Sequence, residues 1–326
     1  MAKIKGLDTR DDIKEMVDER PIFTNRIAPV LAPEIYVTKD AGKIGVLHAE
    51  HGKTKLDLKR ALDGSFVRGE WSLGTSRFET EEFGVEEPTE EVESLLLMDD
   101  IDCEAVAGEL ATDLLLTNRD NRVATGLFST SVFTGARNYL SVSAGDAWNV
   151  AGTKIATQIE SAADILRSRF VIKQNELDLV MARKAFNASV RQLAALDTVK
   201  YTNSLLLASA DTQMTALRDY LNLGRIIIID DMIGKHGIDN NDETDDEDFV
   251  DLVNPDFALL CKLAPSVNSW KAGGVARQPV FAPYSKDYRI ESYDEPKTKH
   301  RYIRASEYRG LFIDARYGFL FNNVLA

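Results

Sequence analysis

The sequence predicts an α+β fold in which two packed regions follow a long lead with little apolar content. Three observations predict it. The first ninety or so residues are punctuated by prolines and turn signals, with sparse and isolated apolar side chains. A helical apolar periodicity then runs from Asp102 to Leu127. Beyond it, helix and strand patterns alternate, and the chain closes on stretches in which Tyr and Ile alternate with charges, as in antiparallel strands with one buried face.

In chain order, Asp8 to Val17 predicts one short helix, with Asp8 or Thr9 as its cap. The next segment, RPIFTNRIAPVLAP, has prolines at 21, 29 and 33, which cannot donate to a ladder, so it predicts an extended arm needing a surface to lie on. Residues 36–87 carry turn signals at DAG, HGK, DGS and LGT and predict a long polar hairpin excursion, ordered by a partner. The pattern changes at Pro88. The long helix places Val106, Leu110, Leu114, Val123 and Leu127 at spacings of four and nine residues, which predicts one apolar stripe.

After a Gly/Ser-rich passage, Ile155, Ile159, Ala162, Leu166 and Phe170 line a helix face. Leu177 to Met181 (LDLVM) reads as a buried strand and Ala182 to Leu196 as a helix. A further helix, capped by Ser209 or Asp211, runs to Leu221 and is stopped by Gly224 before the core strand RIIIID. Phe257 to Leu263 is another strand. The aromatic-rich stretch Tyr302 to Phe321 closes the chain, and the long helix is its natural partner.

Composition narrows the function. With 44% hydrophobic and 28% charged residues the chain is an ordinary folded one, and no apolar run reaches membrane-spanning length. A net charge of −13 argues against broad nucleic-acid binding, which needs a basic stripe. It is compatible with a container wall past which DNA slides. Cys103 and Cys261 form no C-x-x-C motif and read as reduced packing cysteines.

The motifs point away from catalysis. His48 and His51 in HAEH lie i and i+3, but flanking glycines and the basic run after them argue against a helix, and a catalytic zinc needs a third protein ligand that is not evident. The run DNNDETDDEDFVD at 239–251, with Asp242, Asp245, Asp246 and Asp248, lacks the glycine of a calcium loop and reads first as solvated, weak divalent-ion binding second. No P-loop, GxGxxG or Ser/His/Asp pattern is present; Gly273-Gly274 is a turn. No cofactor or metal is expected.

The order of parts resembles the major capsid protein of tailed bacteriophages, the HK97-like capsid fold. The resemblance is carried by VLAPEIYVTKDAGKIGVL, WSLGTSRFETEEFGVEEPTEE, the long helix, DAWNVAGTKIATQIESAADIL, NELDLVMARKAF and the closing hairpin. It implies an N-terminal arm over 1–35, an E-loop over 36–87, a P-domain from 88–145 and 281–326, and an α/β A-domain over 146–280. It further implies self-assembly as hexamers and pentamers into an icosahedral shell around DNA, without sequence-specific binding, in a virion assembled in the host cytoplasm. Portal and scaffolding proteins are the implied partners, with a decoration protein possible. As the chain runs directly into the arm, scaffolding is expected from a separate protein or a removed segment.

Within that family the E-loop and arm lie over neighbouring subunits, which gives the lead its surface. The basic run KTKLDLKR then predicts an intersubunit contact through Lys53, Lys55, Lys59 and Arg60, with Trp71 on the return leg; the acidic FETEEFGVEEPTEEVE is its complement. Some shells of the family join an excursion lysine covalently to an asparagine near the closing strands, and Asn322 and Asn323 stand there. A lysine must be desolvated for that role. The alternative within the fold is an encapsulin-type cellular shell.

Overall fold

The computed structural model of this 326-residue chain describes residues 8–9, 26–47, 73–90, 103–150, 152–170, 172–195, 209–234, 249–270, 273–281, 288–295, 297 and 300–325. Asp8–Thr9 (β1), proposed above as helix caps, instead pairs antiparallel with Glu291 and Ser292. Residues 10–17 of that expected helix lie outside the described residues.

From Arg26 the chain enters the body. Ala28–Leu31 (α1) is one helical turn, with Pro29 at its start, where the missing N–H costs nothing. Ile27, Ala28, Leu31, Ala32 and Ile35 are all buried, and Glu34–Val37 (β2) pairs parallel with residues 278–281. This corrects the reading of the lead as an arm without a core of its own. Prolines at 29 and 33 forbid a long element, but they leave room for a buried turn whose polar groups are taken up elsewhere in the same chain.

Ala41–Leu47 (β3) and Leu73–Glu79 (β4) form the expected hairpin ladder, from Ala41 opposite Glu79 to Leu47 opposite Leu73. Glu81–Glu90 (β5) departs from expectation. It pairs along its length with residues 300–309, so the excursion rejoins the body at Thr80 and the composition change at Pro88 falls inside a strand. Proline is tolerated because β5 pairs on one side only among the described residues.

Cys103–Leu127 (α2) is the long helix, but its buried face is not the expected stripe. Ala105, Ala107, Gly108, Ala111, Thr112 and Leu115 face inward, while Val106 and Leu110 are 41% and 52% exposed. Small side chains let the helix sit close on its sheet, where Ala107 meets Ile290 and Ile303, and Ala111 and Leu115 meet Ala305. From Val123 onward the stripe holds, with Val123 and Leu127 buried.

The remaining elements complete two sheets, one of which carries a two-faced core. They are Tyr139–Ser141 (β6), Ile155–Arg169 (α3), Asp178–Ala182 (β7), Arg183–Ala195 (α4), Ala210–Leu221 (α5), Arg225–Ile229 (β8), Met232–Gly234 (β9), Phe249–Asp251 (β10), Ala258–Cys261 (β11), Ala276–Phe281 (β12), Arg289–Glu295 (β13), His300–Arg309 (β14), Phe312–Ile313 (β15) and Gly318–Asn322 (β16). The central sheet has the order β6-β16-β11-β7-β8. Alternate residues of its strands serve opposite faces. Leu179, Met181, Leu260, Phe319 and Phe321 meet the helices α3, α4 and α5, while Val180, Leu259, Cys261 and Leu320 meet α1 and the end of α2. That is why these strands read as unbroken apolar runs. Fully burying one such side chain contributes about 1.5–3 kcal/mol.

Trp148 is fully buried in the same core, and its indole N–H donates to Gln158 at 2.9 Å. Ser209 caps α5, accepting from the Thr212 N–H. The helix ends on Asn222 in the left-handed conformation, not on Gly224 as expected; Gly224 is needed because a Cβ there would lie 2.9 Å from the Asn175 carbonyl oxygen. The second sheet runs β1-β13-β14-β12-β15, with β5 on β14 and β2 on β12. The closing stretch therefore splits. Its first strands cover α2, while β16 returns to the central sheet between β6 and β11.

Candidate assembly surfaces and the charged junction

Where α1, α2, β5 and the end of β14 meet, charged side chains are buried together. Arg26 pairs with Asp113 at 2.9 Å and reaches Asp120 at 3.5 Å; Asp120 in turn accepts the Ala28 N–H at 2.8 Å. One residue earlier in the helix, Arg119 lies 3.6 Å from Glu34 and 3.8 Å from Glu307. Arg309 donates to Glu307 at 2.7 Å and to Glu34 at 2.6 Å, and Arg122 donates to Glu307 at 2.6 Å while lying over the Phe83 ring. Gln278 closes the set, donating to the Ala28 and Ala32 carbonyls at 3.1 and 2.8 Å.

Burial governs the protonation of these groups. It pushes the Asp120 carboxyl above its ordinary value, against the Ala28 N–H and Arg26; Asp113 is raised for the same reason. Arg119 is lowered by burial and by neighbouring Arg309. For Arg309 burial pulls downward, but Glu307 and Glu34 outweigh it and the net direction is up. A buried charge without a partner is costly, so this arrangement ties the lead, the long helix and the closing sheet to one geometry.

The hairpin leaves the body at this junction. Thr80 is buried, and its N–H and hydroxyl both donate to the Asp40 carbonyl, at 2.8 and 2.9 Å. Gly310 lets β4 pass: a Cβ there would sit 2.0 Å from the Glu79 carbonyl oxygen. On the hairpin's other side Phe78 stacks on Trp270 at 5.5 Å, and Trp270 meets Phe312 edge-on at 5.5 Å.

The residues assigned to intersubunit contact, Lys53, Lys55, Lys59, Arg60 and Trp71, lie outside the described residues, as do His48 and His51. So do Asp242, Asp245, Asp246 and Asp248, in the connection from β9 to β10. Asp251, the last acid of that run, pairs with Lys184 at 2.8 Å. The acidic stretch proposed as their complement is described. Phe83 and Val85 of β5 pack under α2, and the flanking Glu82 and Glu86 are exposed, Glu86 bonded to Arg304 at 2.6 Å.

Asn322 donates to the Tyr139 hydroxyl at 3.0 Å, and Asn323 to the Ser141 hydroxyl at 3.1 Å. Cys261 is fully buried, which pushes its thiol well up. Among the described residues no group of three His, Cys, Asp or Glu side chains could hold a metal ion, and no helix is long and apolar enough to cross a membrane.

The charged junction escaped the sequence reading. A signal was available, because the apolar stripe of α2 is interrupted between Leu115 and Val123 by Arg119, Asp120 and Arg122. Charges at positions that the periodicity buries call for partners elsewhere in the chain.

No protein-family model and no curated protein matches this chain. Solved structures do. A phage-related protein from Bordetella bronchiseptica RB50 superposes over 97% of this chain and 97% of its own, at 12% identity and a TM-score of 0.66. The capsid of a native GTA particle does so over 93% of this chain and 92% of its own, at 13% identity and a TM-score of 0.59. The capsid of the cyanophage P-SCSP1u covers 89% and 86%, at 8% identity and a TM-score of 0.56. The likeness is one of fold, mixed α/β and running from end to end, as the resemblance implied.

Proposed function

We propose that this chain, which has the fold of phage capsid structures, is the major capsid protein of a tailed phage and acts by geometry, not by catalysis. The observation that supports the reading is the superposition over 93% of this chain on the capsid of a native GTA particle and over 89% on a cyanophage capsid. In this reading α2 with β5, β13 and β14 is the P-domain, and the central sheet with α3, α4 and α5 is the A-domain. The β3–β4 hairpin with residues 48–72 is the E-loop, laid over a neighbour. In this reading copies assemble as hexamers and pentamers into a closed shell, since heterologous contacts between identical chains give a bounded assembly only where they close on themselves. The shell stands in the virion, around DNA it does not read.

Negative-stain electron microscopy of the purified protein tests this. Closed shells or capsomer rings are expected, and a protein that stays monomeric at every concentration overturns the reading. Nuclease-protected DNA in particles from infected cells supports the phage assignment; an enzyme cargo in its place assigns the shell to the encapsulin type.

A further inference from the structure

β8 forms one edge of the central sheet. It pairs parallel with β7, from Arg225 opposite Asp178 to Ile229 opposite Ala182, and with no other described strand. Its side chains are used inside the protomer. Ile226 and Ile228 pack on the helix-covered face and Ile227 and Ile229 on the opposite face, so what the strand still offers is backbone. An edge strand presents a row of N–H and C=O groups that its single neighbour does not satisfy. Such edges are ordinarily blunted by a lysine, a proline or a bulge, and the run Ile226 to Ile229 has none of these. Ile227 and Ile228, in the middle of the strand, stay partly exposed.

The two ends of the edge carry opposite charges. Arg225, its side chain 62% exposed, is held by Asp178 through Nε at 3.1 Å and Nη2 at 3.0 Å, and its Nη1 has no partner among the described residues. At the far end Asp230, 57% exposed, takes Arg183 on Oδ2 alone, at 2.9 and 2.6 Å, which leaves Oδ1 open. Each ion is oriented by one partner and keeps one atom for another. The stretch RIIIID is complementary to its own reverse. Laid antiparallel on itself, it sets Arg225 opposite Asp230, Ile226 opposite Ile229 and Ile227 opposite Ile228.

We propose that β8 is a docking edge for β8 of a second copy of this chain, the two strands pairing antiparallel about a two-fold axis and joining two central sheets into one. Backbone hydrogen bonds supply the attraction, and an Arg225–Asp230 pair at each end fixes direction and register. A parallel arrangement would set like charges side by side, which disfavours it. The contact is isologous, so it ends at two copies. It is therefore separate from the heterologous contacts of the proposed shell and does not rest on that reading.

Sedimentation velocity and hydrogen–deuterium exchange on the dispersed full-length chain, over a concentration series up to about 1 mM, test the pairing. A monomer–dimer equilibrium is expected, with amides of residues 225–229 gaining protection as the dimer forms. Asp230→Arg sets two arginines against each other at both ends and should raise the dimer dissociation constant about tenfold. Asp230→Asn should raise it less, and Asp164→Arg, the same charge reversal at an exposed position of α3, should leave it unchanged. The Arg183–Asp230 pair is itself exposed and contributes little to folding; far-UV circular dichroism checks each variant. A wild-type chain that stays monomeric throughout overturns the proposal, as does a dimer that Asp230→Arg leaves as tight as before. Larger rings whose β8 amides gain no protection also overturn it, while leaving the shell reading standing.

Discussion

At the scale of single residues, the chain carries ionised groups where its periodicity demands apolar ones. Asp120 shows how this is supported. Its two oxygens are divided between the Ala28 N–H at 2.8 Å and Arg26 at 3.5 Å, yet burial still holds its carboxyl above the ordinary 3.8. A carboxyl raised on folding takes up a proton more readily in the folded than in the unfolded chain. Its contribution is therefore fully present below the unfolded value and is lost as pH rises through the folded one. The stability advantage of wild type over Asp120→Asn should thus grow as pH falls from 7 towards 3.8. Urea unfolding midpoints of both proteins across that range check this; an advantage that shrinks with acid refutes it.

At the scale of elements, α2 shows how an apolar stripe misleads when small residues pack. Val106 and Leu110 are larger than the alanines beside them, so a hydrophobicity pattern favours their face. The sheet instead takes Ala107 and Ala111, because close approach of a helix brings more atoms into contact than long side chains held at a distance. Ala111, fully buried against Ala305, leaves no room for a larger group. Ala111→Leu should destabilise the folded chain by about 1–3 kcal/mol. Leu110→Ala, at an exposed position, should change it by less than about 0.5 kcal/mol. Chemical denaturation of the two variants measures both, and the reverse ranking would restore the face through Leu110.

At the scale of the whole molecule, the proposed shell depends on contacts between copies. The basic run with Lys55 and Lys59 and the acidic β5 of a neighbour are complementary in sign, and a chain with net charge −13 offers few other basic clusters to steer association. Lys55→Glu with Lys59→Glu should leave the circular dichroism of the subunit unchanged while suppressing shell formation in light scattering. Wild-type assembly should slow as salt rises, since exposed pairs are screened beyond a Debye length of about 8 Å at physiological ionic strength. Normal shells from the charge-reversed protein would remove this contact from the account.

The sequence by itself determined the elements whose stability is local or whose burial is complete. The helices of the central unit and its apolar strands could be read in place, since a strand buried on both faces has no polar side to disguise it. The order of hairpin, long helix and closing strands was legible for the same reason, and that order led to the capsid fold. Only the tertiary structure decided what depends on partners distant in the chain. It bedded residues 27–35 in their own protomer, divided the closing stretch between two sheets, turned the other face of α2 inward and gathered Arg119, Arg122 and Arg309 around Glu34 and Glu307. A residue's neighbours along the chain fix its local conformation, but the free energy of burying a charge or a small side chain is set by groups that the fold brings from far away.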